Sequence, residues 1–178
     1  MRLETDRLVL RRFDQPGDRD AFAAICADAE VMEWLGGTLT RAEADARVDR
    51  VEASWEANGH GRFLVERKAD GAFLGWSGIM PAFHTLPIAG VPEMGWRLVR
   101  HAWGQGYATE AAAAAIADGF GRLGFPEIWA FTNPGNLRSQ AVMRRLGMTR
   151  RSDLDFDYPD QPRDGPLRHS MVYVAQRP

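Results

Sequence analysis

The stretch Glu93–Ala112, EMGWRLVRHAWGQGYATEAA, decides how the rest of the chain is read. Pro92 to Val99 has strand composition, glycines at 104 and 106 open a loop, and an alanine-rich helical run from Tyr107 to Leu123 follows at once. Gly104 and Gly106 can take backbone angles that turn successive N–H groups inward, and a helix starting directly after them adds its own unpaired N–H groups and positive dipole end. Such a junction is an anion site that can hold a pyrophosphate without a lysine. Alone, G-x-G before a helix is a common tight turn, so context must decide. The dinucleotide fingerprint is incomplete because Thr109 holds the place of its third glycine, and no Gly-Lys-Ser/Thr follows for a nucleoside-triphosphate loop.

Working outward, Arg62–Glu66 (RFLVE), Ala72–Met80 (AFLGWSGIM) and Pro92–Val99 read as three successive strands, the first two joined by the short turn KADG. This is an antiparallel meander. Upstream, Arg7–Phe13 reads as a strand, DQPGDRD as a turn with Asp18 as a helix cap, and Asp20–Leu35 and Thr40–Asn58 as helices. Thr40 and Glu43 have capping-box spacing, and Gly59 supplies a stop. Downstream come a strand Glu127–Thr132, a helix Asn136–Leu146 stopped by Gly147, and a closing strand Leu167–Val174. SDLDFDYPDQPRDGP, between the last two, is expected to be a surface loop because of its prolines, glycine and aspartates. The order β-α-α-β-β-β-α-β-α-β predicts a mixed α/β fold around one sheet and, at 178 residues with 45% hydrophobic content, one domain over residues 1–178.

With 22 basic against 24 acidic residues and a formal net charge of −2, the chain lacks the electropositive excess of a nucleic-acid binder, and a small molecule or peptide is the expected partner. The opening MRLETDRLVLRRF carries charges throughout, and the longest apolar stretch, Ala111–Ala117, is far too short to span a bilayer. Neither a leader nor a membrane partner is expected. Cys26, the single cysteine, sits at helical apolar spacing and reads as a buried thiol, which suits a reducing cytoplasm. Asp153, Asp155 and Asp157 begin like a calcium loop, but Tyr158 stands where its glycine belongs. The four histidines are scattered, so no metal is expected. Trp34, Trp55, Trp76 and Trp129 read as core residues, with the alternative that a tryptophan near the cleft lines an acceptor pocket, and Arg144, Arg145, Arg150 and Arg151 as solvated charges of which one can reach a phosphate.

W-G-Q-G-Y-A-T-E-A after a strand, followed by N-P-G-N-L-R-S-Q-A-V-M-R-R-L-G-M, resembles the GNAT superfamily and within it the RimJ/RimL-like branch; the opening T-D-R-L-V-L-R-R-F also resembles how those proteins begin. The superfamily's pyrophosphate pattern falls on Trp103, Gly106 and Ala108, with tryptophan in first place as that branch commonly has it. The resemblance implies a twisted, mostly antiparallel sheet splayed between Pro92–Val99 and Glu127–Thr132, with acetyl-CoA in the gap. It implies that the loop Trp103, Gly104, Gln105, Gly106, Tyr107, Ala108 and Thr109 holds the pyrophosphate, that backbone near Trp96 and Leu98 meets the thioester, and that Asn136 and Ser139 contact the coenzyme arm.

Many superfamily members have a tyrosine seven positions after that asparagine to protonate the departing thiolate, and here the position holds Met143. In the RimJ/RimL branch a serine at the position of Ser139 is assigned that role. No motif fixes a general base; Glu93 is the first candidate, with Asp157, Tyr158 and His169 as alternatives. The implied activity is direct acetyl transfer from acetyl-CoA to an amine, either a protein N-terminus or a small molecule. The DLDFDYPD loop is a candidate acidic pocket for a small cationic amine. The missing tyrosine keeps a second class open, a non-catalytic acyl-CoA-binding regulator. A third, an RNA-associated module, would need salt-dependent binding that the charge balance does not support. A homodimer is allowed, although no exposed apolar stripe argues for it.

Overall fold

In a computed structural model, residues 1–158 and 160–178 are described. The meander forms as its alternating apolar residues require: β3 (Arg62–Arg67), β4 (Phe73–Pro81) and β5 (Pro92–Leu98) pair antiparallel in sequence order. Before it lie β1 (Arg2–Glu4) and β2 (Leu8–Arg11), also antiparallel, so the expected strand Arg7–Phe13 is shorter and is joined by a strand the sequence reading did not include. After it come α4 (Tyr107–Gly121), β6 (Glu127–Thr132), α5 (Leu137–Arg145), β7 (Thr149–Arg150), β8 (Phe156–Asp157) and β9 (His169–Gln176). The sheet order is β1-β2-β3-β4-β5-β6-β9-β7, with β8 also on β9, and β5–β6 is the parallel pair. The segment expected to be a plain loop therefore contributes β8, whose Phe156 and Asp157 pair with Ser170 and His169.

The helices follow their capping chemistry. In α3 (Arg41–Asn58), Thr40 Oγ1 accepts from the Glu43 N–H while Glu43 accepts from the Thr40 N–H at 2.8 Å, the reciprocal arrangement expected. Gly59, at φ 68°, ends the helix. Ala44, Val48, Val51 and Trp55 recur at helical spacing and are buried. The expected helix Asp20–Leu35 is instead two: α1 (Asp18–Ala27) and the single-turn α2 (Ala29–Met32). Asp28 breaks it by adopting an extended backbone and accepting from the Glu30 and Val31 N–H groups. Gly17 rather than Asp18 is the N-cap of α1.

Asp18 has a different task. Its carboxylate receives both Arg11 Nη atoms, at 2.7 and 2.8 Å, and Arg11 also donates to Glu66 at 2.6 Å, joining β2, α1 and β3. Both side chains of the Arg11–Asp18 pair are almost wholly buried. Faces of the sheet are divided between helices: α1 and α3 cover one side, where Phe22, Ile25, Val48 and Val51 join Leu64 and Leu74 in a common core. On the other side α4 packs so closely that a Cβ at Gly119 would meet Ile79 and Ile128 side chains at 2.6 and 2.7 Å. No helix among the described residues is long and apolar enough to cross a membrane.

Removing Asp18 strands a buried guanidinium, so Asp18→Ala is expected to cost about 3 kcal/mol and to lower Tm by roughly 6–12 °C. Thermal unfolding followed by circular dichroism checks this; an unchanged Tm would show that water or Glu66 alone satisfies Arg11.

Candidate active site

Strands β5 and β6 touch in register only at Glu93 and Trp129, and beyond that point they part. The Val99 N–H donates to the Leu74 carbonyl at 2.9 Å, and alternation along the antiparallel pair then turns the N–H and C=O of Leu98 and Trp96 away from β4, into the opening. The Leu98 carbonyl is already taken there, by the indole N–H of Trp103 at 2.8 Å. A cavity of about 1640 Å³ occupies the opening and continues to both faces of the sheet. That exceeds the roughly 300–1,000 Å³ of an ordinary small-molecule pocket and suits two substrates meeting inside the protein.

One end of the cavity is the glycine loop. Gly104 (φ 74°) and Gly106 (φ 82°) are both left-handed, and Gly106 is the N-cap of α4 with no side chain bonded over it. The first N–H groups of α4 therefore have no side-chain cap, and Gly104, Gly106, Ala108 and Thr109 line the cavity. Tyr107 also reaches the wall, although most of its ring is buried in the core. Gln105 is not a lining residue: its amide turns back to the His101 carbonyl at 2.6 Å.

The loop is clamped from the N-terminus. Arg7 donates from Nη1 to the Gln105 carbonyl at 3.0 Å and from Nε to Glu110 at 2.7 Å, and it stacks over the Tyr107 ring at 4.5 Å. Thr5 Oγ1 donates to Glu110 at 2.6 Å. Burial opposes ionisation of Glu110, but the hydrogen bonds from Thr5 and Arg7 outweigh it and hold the carboxyl below its ordinary range. Thr5, Arg7 and Glu110 were not read as site residues, although T-D-R and A-T-E were both visible as parts of recurring motifs.

The second wall is α5. Asn136 caps it, its Oδ1 accepting from the Ser139 N–H at 3.1 Å, which leaves its amide N–H groups for a ligand. Asn136 and Ser139 both line the cavity. Met143 also reaches it but is 1% exposed and packed among Ile79, Met94 and Ala112. Arg138 lies over the Trp103 ring at 4.3 Å, joining α5 to the glycine loop.

Residues 7–149 match the acetyltransferase (GNAT) domain family. The chain belongs to this family. It is 31% identical over 147 residues to YkkB of Bacillus subtilis, covering 83% of this chain and 84% of that protein. An acetyltransferase of Agrobacterium tumefaciens superposes with a TM-score of 0.80 at 28% identity, covering 99% of this chain and 94% of its own. The ribosomal L7/L12 acetyltransferase RimL, solved with coenzyme A, shares the fold at TM-score 0.79 and 14% identity, covering 99% and 98%. As a GNAT acetyltransferase the chain is an acetyl-CoA-dependent acyltransferase.

Within this cavity the four candidate bases part company. Glu93 lines it, with Oε1 receiving Arg62 Nη2 at 2.9 Å. Tyr158 also lines it, packed edge-on and tilted against Phe131 and Phe156; burial, and then the Glu93 charge, push its phenol up, so it stays protonated. Asp157 and His169 lie outside the lining and bond each other at 3.1 Å, and His169 and Arg168 hold the Asp157 carboxyl below its ordinary range.

Of the expected acidic pocket, three aspartates are paired and Asp160 alone lines the cavity. Asp153 pairs with Arg151, Asp155 with Arg150, and Asp157 with Arg168. Among the tryptophans, Trp55 is buried as expected, whereas Trp34 and Trp76 line the cavity, Trp34 held against Gly135, which has no room for a Cβ beneath it. Cys26 is wholly buried.

A Cβ at Gly106 would sit 3.4 Å from Arg7 Nη2, on a left-handed residue. Gly106→Val is therefore expected to weaken acetyl-CoA binding about tenfold or more in calorimetric titration, with the fold intact by circular dichroism. Unchanged affinity would place the pyrophosphate elsewhere.

Proposed function

We propose that this GNAT enzyme transfers the acetyl group of acetyl-CoA directly to a primary amine, with the nucleotide end at Trp103–Thr109 and the pantetheine arm along the open edge of β5. The observation that carries this reading is the single register contact between β5 and β6, which leaves the polar edge at Trp96 and Leu98 facing the cavity that begins at the glycine loop. An extended ligand can pair with such an edge as an additional strand would. The RimJ/RimL-like branch is the affiliation supported by Trp103 in the loop and Ser139 on α5, and by the fold shared with RimL. All 178 residues serve this one domain, in a cytoplasmic setting that keeps Cys26 reduced.

Acetyl-CoA, when bound, supplies an activated acyl carbon and a thiolate leaving group. The chain's own residues then do four things. Backbone N–H groups at Trp96 and Leu98 stabilise negative charge on the acyl oxygen as it develops. Asn136 fixes the start of α5, so that Ser139, one turn on, presents its hydroxyl to the cavity. Ser139 gives a proton to the departing sulfur, since the Met143 thioether has none to give. Glu93, within reach of the acceptor side, takes the proton the amine must lose, directly or through water, while Arg62 orients it.

The buried thioether at Met143 also favours a second reading, an acyl-CoA-binding regulator that does no chemistry. Titration with acetyl-CoA followed by a thiol-release assay over amino acids, peptide N-termini and polyamines separates the two: saturable binding with thiol release upholds transfer, and saturable binding without release upholds the regulator. Ser139→Ala is expected to lower kcat by roughly 10²-fold with acetyl-CoA affinity nearly unchanged. A kcat equal to that of the unaltered enzyme would remove Ser139 from the chemistry.

A further inference from the structure

The acceptor side of the cavity is cationic. Arg62 of β3, Trp76 of β4 and Glu93 and Arg97 of β5 share one sheet face: Trp76 is the cross-strand partner of Arg97, and residues 76, 78 and 80 of β4 stand opposite 97, 95 and 93 of β5. This is the face under α1 and α3, because Arg97 Nη1 reaches Cys26 Sγ of α1 at 3.1 Å, whereas Ile79 meets α4 on the other face. The guanidinium carbons of Arg62 and Arg97 stand 5.1 and 5.3 Å from the Trp76 ring centroid. Gly95 makes the room: a Cβ there would lie 3.0 Å from the Arg62 guanidinium. Arg47 and Arg50 of α3 line the same part of the cavity, and Arg50 lies over the Phe83 ring at 4.0 Å.

Of the carboxylates lining the cavity, Glu93 is held by Arg62 and Glu30 by Arg100 and Arg138, which leaves Asp160, on the segment after β8, as the remaining acid among the described lining residues. Among the described residues no carboxylate lies within 4.0 Å of Arg47, Arg50 or Arg97, although most of the other arginines form ion pairs. Arg97 is 5% exposed, and its Nε and the Trp76 indole Nε1 are buried polar atoms without a partner. Burial, with Arg47 and Arg62 nearby, pushes Arg97 down to about 10. Buried polar atoms and charges left unpaired are costly, and a guanidinium fork matches a carboxylate. The same cations favour an acceptor amine in its uncharged, nucleophilic form.

We propose that the acceptor carries a carboxylate close to its amine, and that Arg97, Arg50 and Arg47 beside Trp76 bind that carboxylate. The assignment rests on the acetyl-transfer reading and narrows its substrate class. Polyamines and other purely cationic amines are then poor acceptors. The carboxylate has two sources, a free amino acid or the acidic side chain of a peptide N-terminus.

The test is thiol release from acetyl-CoA with matched acceptors: free amino acids against their carboxamides, and tripeptides beginning with Asp or Glu against Asn or Gln. The carboxylate member of a pair is expected to have a kcat/KM about tenfold or more above its amide, as one charge-assisted hydrogen bond provides. Which set is acetylated identifies the source. Arg97→Gln and Arg50→Gln are expected to abolish the preference without changing acetyl-CoA affinity, and Arg97→Lys to restore part of it. Arg50, exposed at the mouth, keeps the test valid if Arg97→Gln does not fold. Equal rates for acid and amide, or a preference for polyamines, would overturn the assignment. Should no amine be acetylated, transfer itself fails, and the pocket is read by calorimetry with N-acetyl amino acids in the presence of coenzyme A. Binding lost in Arg50→Gln upholds the anion site, and absence of binding overturns it.

Discussion

The one register contact between β5 and β6, at Glu93 and Trp129, is the constraint from which the site follows. A parallel pair held at one point must diverge beyond it, and divergence leaves β5 with polar backbone groups that its antiparallel neighbour cannot reach. In a closed sheet those groups would be spent on another strand. Here the Leu98 carbonyl is met by Trp103, and the cavity fills the remainder of the opening. The glycine loop, α4 and α5 are arranged around that opening, and the antiparallel strands to either side keep its two edges rigid.

Rigidity at the loop comes from an unexpected quarter. Gly104 and Gly106 give the backbone its left-handed turns, but glycines alone leave a loop free to adopt many others. Arg7 and Thr5, about a hundred positions upstream, fix it through Glu110 and the Gln105 carbonyl. A loop pinned at both its carbonyl and its helix presents N–H groups already oriented, so less ordering is left for the ligand to bring about. The N-terminal hairpin is therefore part of the site as well as of the sheet.

The part of the cavity beneath α1 and α3 shows the opposite arrangement. Arg62 and Arg97 occupy positions beneath α1 and α3 where apolar side chains would pack without cost, and Gly95 gives up a side chain to admit one of them. Arg62 is satisfied by Glu93 and by backbone carbonyls, whereas Arg97 keeps a buried Nε without a partner, a cost that a bound anion would offset. The aspartates of residues 153–157, which look like an acidic pocket when read along the chain, are consumed by Arg150, Arg151 and Arg168.

Much of this was legible in the order of residues. The meander, the capping box at Thr40 and Glu43, and the strand-loop-helix junction with its two glycines are local: each depends on neighbours within a few positions, and local propensity and hydrogen bonding were enough to read them. So was membership in the GNAT family, carried by short motifs around that junction and α5. The residues misread were those with more than one available partner, near or distant, among which the sequence does not choose. Asp18 had cap spacing but pairs with Arg11, which also bonds Glu66; Asp28 looked helical but caps a new turn; Trp34 and Trp76 line the cavity, Trp76 while also packing on the core; Gln105 stood inside the motif but turns away from the cavity. A side chain's role depends on what chain folding brings opposite it, and only the tertiary structure decided that Glu93 meets Arg62, that Glu110 meets Arg7, and that Arg47, Arg50, Arg62 and Arg97 line one cavity.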